Sequence, residues 1–430
     1  MFPIQLAAPY RVLALITYII VSCTACAVNP VTGKNELSLV SSSQEIAMGQ
    51  KNYSPYQQQQ GGVYNVDPEL GLYVANVGRK LAQLSHSPNL PYEFVVLNND
   101  GANAWALPGG KIAVNRGLLL LLDDEAQLAA VLGHEIVHAA ARHGAQQMTK
   151  ATLISSSIAL LGAATKDTSY GSILSQGTQL GAGAWQAKHG REHELQSDAH
   201  GMDYMVNAGY DPYAAVELQE TFVKLSESRA QSNWLQGLFA SHPPSQERVD
   251  KNRQKASQLS GGVRNHSAYQ RATAQIRKDK SAYELSTQAL KQATEGNHDS
   301  ALRLIDRAIA AQDEEALFHT QKGVILLAQK NYQAAESAFT QASRLYPEYF
   351  KTQLGLGIAQ LEQGKTREAK THLQLSLDLL PTPNAAYQLG EVAIREGNQS
   401  LAAQYFSQVA QSGGELGAKA QQRLNQIQGQ

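Results

Sequence analysis

The chain has 430 residues, 43% of them hydrophobic and 17% charged, which describes folded domains and excludes a disordered or fibrous protein. That length is too great for one ordinary core and points to two domains. With 36 basic residues against 37 acidic ones and no long Lys/Arg run, nothing tracks a phosphate backbone, so no nucleic acid is expected as a partner.

Residues 1–26 read as a signal peptide of the lipoprotein type. Arg11 precedes the apolar run Val12 to Val21, too short to span a bilayer but suited to the core of a secretory signal. Cys23 and Cys26 follow small residues, and either suits acyl modification; a cleaved, unlipidated signal is the plainer alternative. The chain has no other cysteine, so the mature protein is expected to hold no internal disulfide. Residues 27–60, with Asn29-Pro30-Val31-Thr32-Gly33 and the glutamine tract Gln57 to Gln60, read as a loosely ordered lead-in.

A first folded domain is expected over 61–251. Leu70, Val74, Val77 and Leu81 recur at three- and four-residue steps and predict a helix from Asp67 to Leu84. Phe94 to Leu97, Ala104 to Leu107 and Lys111 to Val114, separated by Asn98 to Gly101 and by Pro108-Gly109-Gly110, predict a small sheet. A long helix follows from Glu125 to His143, with Asp124 as N-cap, Gln127 three residues on and Gly144 as the stop. Residues 145–190 are rich in Ala, Ser, Gly and Gln with two weakly apolar patches; they suit helices packed over the site or a mobile cover that gates it. Another helix runs from Arg191 to Ala208 and is ended by Gly209 and Asp211-Pro212. Residues 252–281 are polar and read as a linker.

From 282 to 430 the chain repeats. The turns Gly296-Asn297, Lys330-Asn331, Gly364-Lys365 and Gly397-Asn398 recur at intervals of 34, 34 and 33. Small residues keep the same register (Ala301, Ala335, Ala369, Ala402, and Ala289, Gly323, Gly357, Gly390), as do the large Ile305, Phe339, Leu373 and Phe406. This is the period and residue logic of tetratricopeptide repeats, an α-solenoid. The fold class expected is therefore mainly α: a zincin-like domain of helices plus a small sheet, followed by the solenoid.

The chemistry centres on His134-Glu135-Ile136-Val137-His138. Residues four apart share a helix face, so both imidazoles can hold one metal ion. Zinc held by two histidines and a carboxylate keeps one position for water, which a hydrolase needs. Glu194 is the expected third ligand, because the row Glu194, Asp198, Gly201, Met205 borders Leu195, Met202 and Val206 and should face inward. Glu192, Gln196 and Asp203 form a row that reads as solvent-facing; His189, His193 and His200 are competing ligand candidates. Glu135, turned off the ligand face, would take a proton from the attacking water. Asp198 would hold a ligand histidine in its tautomer or handle a proton. His242 and Arg248 could bond the developing oxyanion, or His242 could occupy the open zinc position and hold the enzyme off. Ala104 to Leu107 is a candidate edge for an extended substrate, with plain core packing of Trp105 and Leu107 as the alternative.

These blocks together resemble the BepA-like (YfgC-like) zinc metallopeptidases, relatives of Oma-type and CAAX prenyl proteases. The likeness lies in Asn29 to Gly33, Asn103-Ala-Trp-Ala-Leu-Pro-Gly-Gly110, Glu125 through His138, Arg191-x-x-Glu194-x-x-Ser-Asp198, His242-Pro-Pro with Arg248, and the repeat tail. It covers nearly all of the chain after the signal. The resemblance implies one zinc ion on His134, His138 and Glu194, Glu135 as acid/base, Asp198 as proton donor and His242 as a regulator or assistant of the metal. Ser197 stands where the family has Ala, and Trp105 where it has Phe; neither change touches metal or base.

The resemblance also implies periplasmic quality control of outer-membrane proteins, with the repeats docking clients or assembly machinery. The cysteine beside Asn29-Pro30 departs from soluble members and suggests a lipid anchor. Ala27 after Cys26 favours the outer membrane. A chaperone or adaptor with a nearly silent zinc site is the competing reading, and a zinc aminopeptidase a third.

Overall fold

The computed structural model describes residues 26–153, 190–227 and 233–429. The expected signal peptide, apart from Cys26, and most of the expected cover over 145–190 lie outside them. Two compact units result: one within 1–53, 70–96 and 101–272, the other from 54–69, 97–100 and 273–430.

The first unit begins with a hairpin, β1 (Cys26–Val28) against β2 (Asn35–Leu37), in the register Cys26 to Leu37. Asn29 closes its turn by accepting hydrogen bonds from the amides of Val31 (2.9 Å) and Thr32 (3.2 Å), which accounts for the Asn-Pro-Val-Thr-Gly block. The expected loose lead-in is thus corrected: besides this hairpin it holds the 18-residue helix α1 (Ser42–Gln59). Its composition is polar, but Tyr53 is buried and donates to the Ile112 carbonyl at 3.0 Å. Helix α2 (Pro68–Gln83) buries Leu70, Val74, Val77 and Leu81 as their spacing predicts.

The strands β3 (Glu93–Leu97), β4 (Ala104–Leu107) and β5 (Lys111–Asn115) form one sheet in the order β3-β5-β4. The middle strand β5 is buried throughout; the antiparallel partner β4 is an edge, with Trp105 opposite Ala113. After the single turn α3 (Arg116–Leu119) comes α4 (Glu125–Ala140), every residue of which is buried. Asp124 caps it, its carboxylate accepting from Gln127 N at 2.9 Å. The helix does not continue to His143. Arg142 takes a left-handed φ of 59°, the chain turns, and α5 (143–153, as far as described) starts at His143, so Gly144 is no stop.

The unit is completed by α6 (Arg191–Asn207), α7 (Tyr213–Glu227), α8 (Gln236–Ser241), α9 (Gln246–Ala256) and α10 (His266–Ala272). The second unit carries α11 (Ala274–Lys278), α12 (Lys280–Thr294), α13 (His298–Ala311), α14 (Ala316–Ala328), α15 (Tyr332–Leu345), α16 (Phe350–Glu362), α17 (Thr366–Leu379), α18 (Pro383–Arg395), α19 (Gln399–Ala410) and α20 (Gly414–Gln428). The polar stretch 252–281, read as a linker, is largely helical: Tyr269 is buried with its hydroxyl on the Leu119 carbonyl (2.7 Å), and Ile276 is buried as well.

In the solenoid the sequence period becomes backbone geometry. Gly296, Lys330, Gly364 and Gly397 take left-handed φ of 82°, 58°, 78° and 75°, turning each first helix into its second. Ala301, Ala335, Ala369 and Ala402 and the large column Ile305, Phe339, Leu373, Phe406 are wholly buried. Small faces large in the three repeats that carry glycine: a Cβ on Gly323 would lie 2.7 Å from the Phe339 ring, one on Gly357 2.6 Å from Leu373, and one on Gly390 2.7 Å from Phe406. Each large side chain buried this way contributes about 1.5–3 kcal/mol.

Candidate metal centre

Two crossing helices build the site. His134 and His138 lie one turn apart on α4, and Glu194 and Asp198 one turn apart on α6. The helices touch backbone to backbone where Gly133 meets Gly201: a Cβ on Gly201 would lie 2.9 Å from His134 N. That approach lets a short carboxylate reach two imidazoles. Gly201→Ala is therefore expected to wedge the helices apart beside His134, and a titration with a competing chelator should show about 10–100-fold weaker metal binding.

Nε2 of His134 lies 3.0 Å from Nε2 of His138. Glu194 meets both, Oε2 at 3.5 Å from His134 and Oε1 at 3.4 Å from His138. His242, the C-terminal cap of α8, brings Nδ1 to 3.2 Å from His134 Nε2 and 3.3 Å from Glu194. One donor atom from each of these four residues lies within 4.8 Å of the others. Three imidazole nitrogens and a carboxylate oxygen, all buried, are a donor set for a divalent metal ion.

Charge points the same way. His134 is buried, which disfavours its protonated form, but Glu194 and Asp198 beside it push its pKa up to about 10. Burial likewise works against ionisation of Glu194, yet His242 and His134 hold it well below the usual carboxylate range. Glu194 therefore stays ionised, an anionic donor for a cation. Asp198 accepts from Nδ1 of His134 at 2.9 Å, which turns Nε2 of that ring to the centre.

Arg248 sits on the first turn of α9, where Ser245 caps its amide. Its guanidinium meets Asp198 twice, at 2.7 Å each, and Glu194 at 2.9 Å. Nη1 of the same guanidinium also donates to the Pro243 carbonyl at 3.2 Å. Glu135 is buried beside the cluster, 3.5 Å from Nε2 of His242, and its burial raises its pKa although His242 and His134 oppose the rise.

Of the competing ligands, His200 pairs with Asp203 at 3.5 Å, and His193 stacks on His143 at 4.0 Å; His189 lies outside the described residues. Two residues of the site were not anticipated. His143, wholly buried, faces Nδ1 of His138 at 2.9 Å, and Gln196 faces His143 at 2.7 Å, so the row of Gln196 is not simply solvent-facing. Burial, then the neighbouring His193, lowers the pKa of His143 to about 3, so it is neutral. A third histidine five residues after His138 was visible, but a continuous helix would have turned it away from the metal face.

The model of "Peptidase family M48" matches residues 69–256, which include every site residue named above. The Escherichia coli K12 "Metalloprotease YcaL" is 31% identical over 180 residues, 40% of this chain and 67% of that protein. The chain belongs to peptidase family M48. Tetratricopeptide-repeat models match 287–350 and 326–390 of this M48 chain. The Escherichia coli K12 "Beta-barrel assembly-enhancing protease" is 28% identical over 236 residues, 54% of this chain and 47% of the relative, so this M48 chain spans about half the length of that relative. Among solved structures, the tetratricopeptide-repeat protein YrrB is 22% identical and covers 36% of this chain and 80% of its own, with a TM-score of 0.31.

Proposed function

We propose that this chain is a zinc-dependent endopeptidase of the bacterial cell envelope that degrades misfolded or stalled outer-membrane proteins. The observation that carries the reading is the convergence of His134, His138, Glu194 and His242. Zinc bonds of 2.0–2.1 Å in a tetrahedron set neighbouring donors about 3.3–3.4 Å apart. The separations here, 3.0 to 3.5 Å, bracket that value. His134, His138 and Glu194 would be the resident ligands of one zinc ion.

Zinc held there would polarise the scissile carbonyl and make water a better nucleophile. Glu135 takes a proton from the attacking water and gives it to the departing amine, a shuttle that suits a carboxylate whose pKa burial has raised. Asp198 keeps His134 oriented, and Arg248 neutralises Asp198 and Glu194. The edge strand β4 offers its main chain to an extended peptide. An apolar wall that includes Met202, Leu218, Phe222 and Leu238 adjoins His134 and suits an apolar substrate side chain, although its cavity is only about 40 Å³. So small a space holds only a few waters.

His242 takes the corner that the attacking water needs, so it restrains the enzyme. His242→Ala is expected to raise turnover of an unfolded protein several-fold, read as initial rate at equal zinc content. This corner also gives the adaptor reading its footing, with the repeats docking assembly machinery while the site stays quiet. Among the described residues no helix is long and apolar enough to cross a membrane. We assign attachment to a lipid on Cys23 or Cys26, with the chain on the periplasmic face of the outer membrane.

The test uses purified full-length chain and an unfolded outer-membrane protein with a blocked N-terminus. Internal cleavage is expected, lost when a chelator strips the zinc and restored by one equivalent of zinc per chain. Undiminished cleavage after complete zinc removal would overturn the metallopeptidase reading, and trimming from free N-termini alone would favour an aminopeptidase.

A further inference from the structure

Each ligand imidazole must keep its proton on the nitrogen that faces away from the metal. For His134 the acceptor of that proton is a carboxylate, Asp198. His138 is held differently. Its Nε2 faces His134 and Glu194, while its Nδ1 faces the Nδ1 of a second imidazole, His143, at 2.9 Å. The other nitrogen of His143 faces Gln196 Oε1 at 2.7 Å. The turn at Arg142 brings His143 under the end of α4, and the parallel stack on His193, 4.0 Å away with planes 7° apart, holds its ring flat.

A hydrogen bond between two ring nitrogens contains one proton, and two arrangements satisfy this chain of groups. In the first, His138 donates from Nδ1 to His143, and His143 donates from Nε2 to the amide oxygen of Gln196, leaving a lone pair on His138 Nε2. In the second every donor is reversed, the proton sits on His138 Nε2, and it points at the metal ligands. Only the first permits His138 to bind a cation. The choice is made at the far end, by whether residue 196 presents an acceptor. We propose that His143 and Gln196 are positioning residues that set the tautomer of His138 and thereby tune its hold on the metal. This rests on His138 being a ligand, as proposed above.

Two readouts test it on the full-length chain, neither of them activity: zinc affinity by competition with a chromophoric chelator, and the tautomer of His138 by 15N NMR of histidine-labelled, chelator-treated protein. His143→Phe keeps the ring stack and removes both nitrogens; it is expected to weaken zinc binding about 10–100-fold and to release His138 from the Nδ1–H form. Gln196 lies at a half-buried position where folding is less at stake. Gln196→Glu, an obligate acceptor, should bind zinc at least as tightly as wild type, and Gln196→Met more weakly, with His138 shifted towards Nε2–H. Wild-type affinity and an unchanged His138 tautomer in both His143→Phe and Gln196→Met would overturn the inference. So would weaker binding by Gln196→Glu than by Gln196→Met. If wild type itself bound no zinc, the ligand reading would fail, and the NMR result would still decide the relay.

Discussion

Glu135→Gln is expected to leave the zinc in place and to remove nearly all peptide hydrolysis. The side chain is not among the four that converge on the metal, so each chain should still bind one zinc ion, and the amide fills the same buried space. What is lost is the group that accepts a proton. General-base assistance is worth about 10²–10⁴ in rate, and the fall should appear in the initial rate of cleavage with little change in substrate binding. Unchanged turnover of every substrate tried would mean that Glu135 is not the base, and the peptidase mechanism would go with it. A comparison of client degradation with outer-membrane assembly in cells adds a second axis. If degradation stops and assembly proceeds as before, the repeats carry the assembly role and the adaptor reading gains.

How much of this the sequence revealed depended on how local the physics was. In the solenoid the helices pack against their neighbours in the chain, so the small and large columns could be read directly from a period, and Gly323 against Phe339 is that pattern in atoms. His134 and His138 were legible for the same reason, being four residues apart on one helix. Glu194 needed one more step, the inward row on α6, and that row is buried. The contact of Gly133 with Gly201 was out of reach, since nothing in either helix alone says which turn meets which. His143 was hidden by a helix that stops one turn early, at a left-handed arginine that no propensity marks. Composition hides the helices of the lead-in and of the stretch 252–281, because a few tyrosines, Tyr53 and Tyr269 among them, anchor segments that are otherwise polar.

Arg248→Met should be the most damaging single change to stability around the site. The guanidinium is buried and compensates Asp198 and Glu194 at 2.7 to 2.9 Å. Methionine preserves much of the volume and none of the charge, so two buried carboxylates lose their fixed counter-ion; removing one partner of such a buried pair costs about 3–5 kcal/mol. Urea unfolding at neutral pH with zinc chelated should show the loss as a lower midpoint at unchanged slope. The pH dependence has a definite sign. Burial opposes ionisation of Asp198, but Arg248 and His134 hold its pKa below the ordinary 3.8. In wild type Asp198 therefore adds stability that is present above that value and fades as pH falls through the lower folded one. Without Arg248 the effect of burial prevails and the folded pKa rises, so the deficit of the variant is largest near neutrality and narrows on acidification. An equal deficit at all pH values would assign the loss to packing rather than charge. Arg248→Lys divides the role further: it restores a cation but not the two-pronged grip on Asp198. Recovery of stability with metal affinity still weakened would show that the fork orients the Asp198–His134 pair, while the charge keeps the helices folded.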